Sequence, residues 1–237
     1  MKKAKIIIPV VLLVLLLGAA GAYLIYGSTL INAASEKSIS QNLASDPDQP
    51  ITVLATEKFG DYFGVLYSDP AEENTNLYRF RYVTKAPLYK NRYRNIGGYS
   101  GFTPAYLVCD EANLNDPART QAEVFIYRVG KSEENSDRCS VFRANGSVGT
   151  INFDEITDPQ QIVDKREEVA ATIEKLDEFA LPDEDTFIFS KTYPLTQPDD
   201  EIVVVEGSVS QQEMRRQVLD TTGQIIKEYN DYKEGEG

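Results

Sequence analysis

The residues best placed to do chemistry in this chain are cations. The stretch from Asn74 to Cys109 holds no Asp or Glu, and within it lie Arg79, Arg81, Lys85, Lys90, Arg92 and Arg94. Leu77–Val83 alternates as a β-strand does: Tyr78, Phe80 and Tyr82 fall on one face, Arg79 and Arg81 on the other. Leu88–Arg94 alternates again, with Tyr89 and Tyr93 set against Lys90, Arg92 and Arg94. If the two strands pair with their basic faces matched, Arg79, Arg81, Lys90, Arg92 and Arg94 form one surface. Such a surface would bind an anionic head group, a wall-polymer phosphate or an acidic partner. The plainer reading is a solvated sheet face, or one neutralised by the acidic excess of residues 154–237. Like charges side by side on a sheet repel, so either reading requires a compensating anion, inside the chain or outside it.

Other chemistry is limited by what the chain lacks. There is no His among its 237 residues, which excludes Ser-His-Asp and Cys-His catalysis, His-ligated zinc and imidazole as a base. Two Cys cannot build a four-cysteine zinc site or an iron–sulfur cluster. No Ser-x-x-Lys is present for a Ser-Lys hydrolase, and among 37 acidic residues a carboxylate pair for glycoside hydrolysis carries no specificity. Asp183–Asp185 and Asp199–Glu201 offer oxygen ligands for Ca²⁺, but without EF-hand spacing they read as solvated loops. Asn95–Gly101 is glycine-rich, yet it lacks the Lys-Ser/Thr and the following helix of a phosphate loop. Tyr99, Phe102 and Tyr106 beside it could stack on sugar rings, core or rim packing being the commoner use. Asn145-Gly-Ser147 is a glycosylation sequon, with meaning only in a eukaryotic secretory pathway. The net charge of −13 argues against a nucleic-acid partner. Neither a metal nor a cofactor is expected, and no catalysis.

The amino terminus sets the location. Lys2, Lys3 and Lys5 precede an uncharged run from Ile6 to Tyr26. As a helix rising about 1.5 Å per residue, that run spans about 30 Å, the thickness of a bilayer's hydrocarbon core. It is expected to be an uncleaved anchor, a single-pass transmembrane helix over residues 6–26 in contact with the lipid bilayer. The alternative is a signal segment cleaved near Ala22, after the small residues Gly18–Ala22. Tyr23 and Tyr26 fit an interfacial aromatic belt and favour the anchor. Either way the lysines stay cytoplasmic and the remainder is extracytoplasmic. In that oxidising compartment Cys109 and Cys139 are expected to form a disulfide, with two separate buried thiols as the alternative.

The elements that carry these residues divide the chain into five stretches. Residues 1–26 are the anchor or signal segment, and 27–50 a stalk whose short helix over Ala33–Leu43 carries Ile39 and Leu43. Residues 51–153 form a β-rich half, with strands at Ile51–Thr56, Tyr62–Tyr67, Leu77–Val83, Leu88–Arg94, Tyr106–Val108, Glu123–Val129, Ser140–Arg143 and Thr150–Phe153. Residues 154–230 open on a helix with Asp158 as N-cap, Pro159 in its first turn and Gln161 at the capping-box position. Its stripe of Ile162, Val169, Ile173, Leu176 and Ala180 predicts one long helix ending before Pro182. Strands follow at Thr186–Ser190, Ile202–Glu206, Met214–Leu219 and Gln224–Tyr229, and residues 231–237 read as a disordered tail. The expected fold class is α+β: an antiparallel, β-rich ectodomain with one long helix, preceded by a single N-terminal transmembrane helix.

The runs "TEKFGDYFGVLYSDP" and "YRFRYVTKAPLYKNRYRNIGG" resemble the ectodomains of uncharacterised, single-anchored extracytoplasmic proteins of Gram-positive bacteria. That resemblance implies one membrane segment, a short helix and antiparallel strands at a cell surface. It transfers no functional residue. The expected role is a non-catalytic binding or envelope-associated domain whose partner is an envelope protein or an anionic polymer. The alternative is an anion or wall-polymer binding module built on the basic face of residues 79–94, and a His-independent envelope hydrolase is the remote one.

Overall fold

Alternating aromatic and β-branched residues make strands wherever the sequence offers them in register. In the computed structural model, residues 15–24, 26–27, 30–44, 46, 48–70, 77–86, 89, 91–98, 100–102, 105–149 and 151–235 are described. The chain divides into two compact units, Met1–Phe102 and Thr103–Gly237, so the stretch 51–153 is shared between them.

In the first unit β1 (Ile31–Asn32), β2 (Thr52–Phe59), β3 (Tyr62–Asp69), β4 (Leu77–Lys85) and β5 (Arg92–Gly97) form an antiparallel sheet in the order β1-β5-β4-β3-β2. The short β6 (Ser100–Phe102) also pairs with β4. Gly60, at φ +56, supplies the left-handed residue that turns β2 into β3. Helix α1 (Glu36–Leu43) starts at Ser35, whose hydroxyl accepts the Ser38 N–H at 3.3 Å. It lays Ile39 and Leu43 among Phe63, Val65, Tyr67, Val83 and Tyr93. Burying each of those two aliphatic side chains contributes about 1.5–3 kcal/mol. Ahead of the sheet, residues 15–24, 26 and 27 are helical. Ile6 to Val14, the start of the expected span, lies outside the described residues. Among the described residues no helix is long and apolar enough to cross a membrane.

In the second unit two three-stranded antiparallel sheets face each other. One has the order β11-β8-β7, from β7 (Val108–Glu111), β8 (Gln121–Arg128) and β11 (Phe187–Pro194). The other has the order β10-β9-β12, from β9 (Arg138–Asn145), β10 (Glu174–Ala180) and β12 (Asp200–Glu206). Val124 and Ile126 of the first sheet meet Val141 and Ile202 of the second in the core between them. On the far side of the second sheet, Phe142 and Ala144 pack against Ala170 of α2 (Pro159–Thr172) and Met214 and Val218 of α3 (Gln211–Asp220). Tyr229 of α4 (Thr222–Gly235) closes on Ile162 of α2 and on Ile156.

The α+β class and the antiparallel pairing are as expected, whereas the single long helix is corrected. Helix α2 ends at Thr172; Ile173 turns out of helical geometry at ψ 124, and residues 174–180 become β10 on the edge of β9. A bulge between Lys175 and Asp177 lets Leu176 and Phe179 both reach the core. That three-residue step imitates a helical repeat in the sequence. The strands expected at Met214–Leu219 and Gln224–Tyr229 are helices, and α4 carries the expected tail on to Gly235. Phe153–Glu155 is a 3₁₀ turn in place of the end of an expected strand. The head of α3 explains its helicity. The Ser210 hydroxyl accepts the Glu213 N–H at 3.2 Å, and the Glu213 carboxylate accepts the Ser210 N–H at 2.8 Å. Ser210→Ala is expected to cost about 0.5–2 kcal/mol, read as a lower urea midpoint at unchanged slope. An unchanged midpoint would show that this cap does not hold α3.

Candidate functional site

The register of the first sheet separates the cations that the sequence groups together. Arg79 stands opposite Tyr67 and Arg81 opposite Val65, on the face that carries α1. Arg94 stands opposite Thr84, and Arg92 opposite Asn32, on the other face. Lys90 lies outside the described residues. The five cations therefore do not share one surface. Pairing puts Tyr93 opposite Lys85, so the aromatic face of β5 continues the arginine face of β4. The compensating anion for the β4 pair is internal. Arg79 Nε lies 3.1 Å from the carboxylate of Asp69, which is 1% exposed. Arg81 donates to the Gly98 carbonyl at 3.1 Å. Burial pushes the Tyr67 phenol above its ordinary pKa, against the opposing pull of Arg81 and Arg79. Gly98 is required for its backbone: at φ +139, a Cβ there would strike the Phe80 carbonyl and sit 2.7 Å from Arg81 Cα. Arg92 donates to the Leu30 carbonyl at 3.4 Å, and Arg94 is exposed.

The expected disulfide is also corrected. Cys109 on β7 and Cys139 on β9 belong to different sheets, and both are free thiols. The Cys109 thiol donates to the Ile202 carbonyl at 3.9 Å, linking the edge of β7 to the edge of β12. Cys139 packs with Leu181 and Phe187. Burial pushes both thiols up to about 12, so neither is a nucleophile at neutral pH.

Several buried charged groups of the second unit are bound to one another. Arg119, 4% exposed, forms an ion pair with Glu111 and donates to the carbonyls of Pro198 at 2.7 Å and Asp200 at 2.6 Å. Glu111 also accepts the Ile202 N–H at 3.1 Å. Asp200 accepts from the Thr196 N–H at 2.6 Å, its hydroxyl at 2.7 Å and the Gln197 N–H at 3.1 Å. The middle acid of Asp199–Glu201 is thus an internal loop fastener. Glu111, Asp200 and Ile202 border a cleft of about 410 Å³. Among the described residues no group of three or more His, Cys, Asp or Glu side chains is placed to hold a metal ion. Lys191, Tyr193 and Asp177 also converge, with Lys191 Nζ 2.9 Å from Asp177 and 3.4 Å from the centre of the Phe179 ring. Burial and then Asp177 push the Tyr193 phenol up, away from a useful general base. Comparison of the chain with protein-family models, with curated proteins and with solved structures gives no match.

Two outcomes follow from this electrostatic arrangement. A disulfide reagent such as Ellman's should find no reactive thiol in the native protein at pH 8 and both after denaturation, and a mobility change on reduction would contradict the free-thiol assignment. Hydrogen bonds from Lys175 and Ser208 hold the Glu178 carboxyl down to about 2. A depressed carboxyl stabilises the fold above its ordinary range and loses that contribution as pH falls through the folded value. Thermal melts of Glu178→Gln should therefore lie below wild type at pH 6 and converge with it toward pH 2. A gap that persists at the acid end would rule this out.

Proposed function

We propose that the chain is a membrane-tethered, extracytoplasmic domain with a non-catalytic binding or envelope-associated role. The supporting observation is the union of an apolar helix with the first sheet unit. Leu15, Leu16, Leu17 and Leu24 are 63%, 67%, 64% and 70% exposed. Successive residues of a helix point about 100° apart, so Leu15–Leu17 spread an apolar surface around most of the helix. Lipid is the solvent that suits such a surface. The end of the helix is fastened to the connection between β4 and β5. The Tyr23 ring stacks on Tyr89 with centroids 4.3 Å apart, and the Tyr89 hydroxyl donates to the Tyr23 carbonyl at 2.5 Å. Tyr26 adds a tilted ring contact at 5.7 Å. Gly27 permits the close approach, since a Cβ there would lie 2.6 Å from the Tyr89 ring. Three tyrosines at the end of an apolar helix make an interfacial collar. Lys2, Lys3 and Lys5, which precede the apolar run in the sequence, favour a cytoplasmic amino terminus.

A binding role is favoured over catalysis because the convergent carboxylates are engaged in holding the fold: Glu111 pairs with Arg119 and accepts the Ile202 N–H, and Asp200 Oδ2 accepts from Thr196 and Gln197. The anion-binding alternative on residues 79–94 loses its support with the separation of its arginines. Full-length protein in isolated membranes is expected to resist alkaline carbonate and to leave only with detergent. The form beginning at Gly27 should remain in the soluble fraction. Release of the full-length chain by carbonate would overturn the tether.

A further inference from the structure

The second unit buries one arginine whose charge is met differently from its neighbours. Arg119 faces Glu111, and Arg128 lies 3.2 Å from Glu206. Arg166, 2% exposed on α2, forms no ion pair with any described carboxylate. Its Nη1 donates to the Val148 carbonyl, and its Nη2 to the Val218 carbonyl at 2.5 Å and the Thr221 hydroxyl at 2.6 Å. Its Nε–H has no acceptor. Glu201 acts on it only at a distance, across the Val148 peptide, whose N–H donates to Glu201 at 2.8 Å. A buried cation compensated only by neutral acceptors, with its Nε–H unpaired, is costly, and an anion beside it lowers that cost.

Arg166 lines a cavity of about 280 Å³ between α2 and the loop after β9. The same wall carries Lys165, Ser147 and Asn152, while Glu168 supplies the opposing charge. The net charge of the lining is that of a single extra cation, which suits one oxyanion and not a polyphosphate. The volume is near the lower end for small-molecule sites. A guanidinium is the side chain best matched to a carboxylate or phosphate oxygen pair. We propose that this cavity binds a small molecule through one oxyanion group, with Arg166 as the buried charge, Lys165 as the cation at the mouth, and the neighbouring amides and hydroxyl contacting its polar remainder. The site does not depend on the membrane tether.

The test is calorimetric titration of the full chain in a non-ionic detergent with acetate and with inorganic phosphate, against chloride at equal ionic strength. Saturable binding of either oxyanion, absent with chloride, is expected, and the stronger of the two identifies a carboxylate or a phosphate ligand. Lys165→Glu reverses the charge at the exposed mouth and should weaken binding by about tenfold or more, the effect of losing a charged hydrogen bond. Arg166→Met should abolish it; if that variant does not fold, Lys165→Glu carries the test. No saturable binding of either anion at millimolar concentrations, or binding unchanged in Lys165→Glu, would overturn the assignment.

Discussion

Strand β9 is buried on both faces, and the second unit is arranged around that constraint. Cys139 and Val141 point into the core between the sheets, while Phe142 and Ala144 point to the helices. A slip of one residue would exchange those two sets of side chains, so the register of β10 and β12 on either side is closely specified. The polar member of the strand is used as a fastener. Ser140, wholly buried, donates to the Gly207 carbonyl and accepts the Val209 N–H, each at 2.9 Å. That pair of bonds fixes the chain as it leaves β12 and sets Ser210 where it can cap α3. One strand thus positions a sheet, a loop and a helix.

Buried guanidinium groups do a second kind of positioning. Arg119 collects acceptors from Glu111, Pro198 and Asp200, and Arg166 from Val148, Val218 and Thr221. Each joins segments far apart in sequence that share no hydrogen-bonded ladder. In the first unit Arg79 pairs instead across the β3–β4 ladder, with Asp69. The arginines that look in sequence like a ligand surface are therefore mostly internal struts. Arg166 differs in having carbonyls and a hydroxyl as partners and no carboxylate, which is why a small anion suits its surroundings.

The parts of this fold legible in the sequence are those dictated by local period. Helix α1 with Ile39 and Leu43, and the strands β2, β3 and β4, follow from the spacing of their side chains. The parts that are not legible depend on long-range pairing. Which face of β5 continues which face of β4 is decided by their register and bulge, and that alone separates Arg79 and Arg81 from Arg92 and Arg94. Two cysteines in an exported chain suggest a bond, but only the assignment of β7 and β9 to different sheets shows that they stay apart. Helix α3 had a signal of its own, the Ser210-x-x-Glu213 capping box, which competed with a nondescript pattern over Met214–Leu219. Arg166 had one as well. It stands four residues from Ile162 and four from Ala170, on the buried stripe of α2, where a surface cation would not be placed.

The tether and the side of the membrane on which the second unit lies can be measured together. Because Cys139 is buried and the thiol of the half-buried Cys109 is pushed up to about 12, a cysteine introduced at the exposed position Asn230 on α4 provides a selective site for a membrane-impermeant maleimide, with the wild-type chain as the blank. In intact cells Asn230→Cys should label as fully as it does after lysis. Labelling that appears only once the cells are broken would place this unit in the cytoplasm and contradict the account.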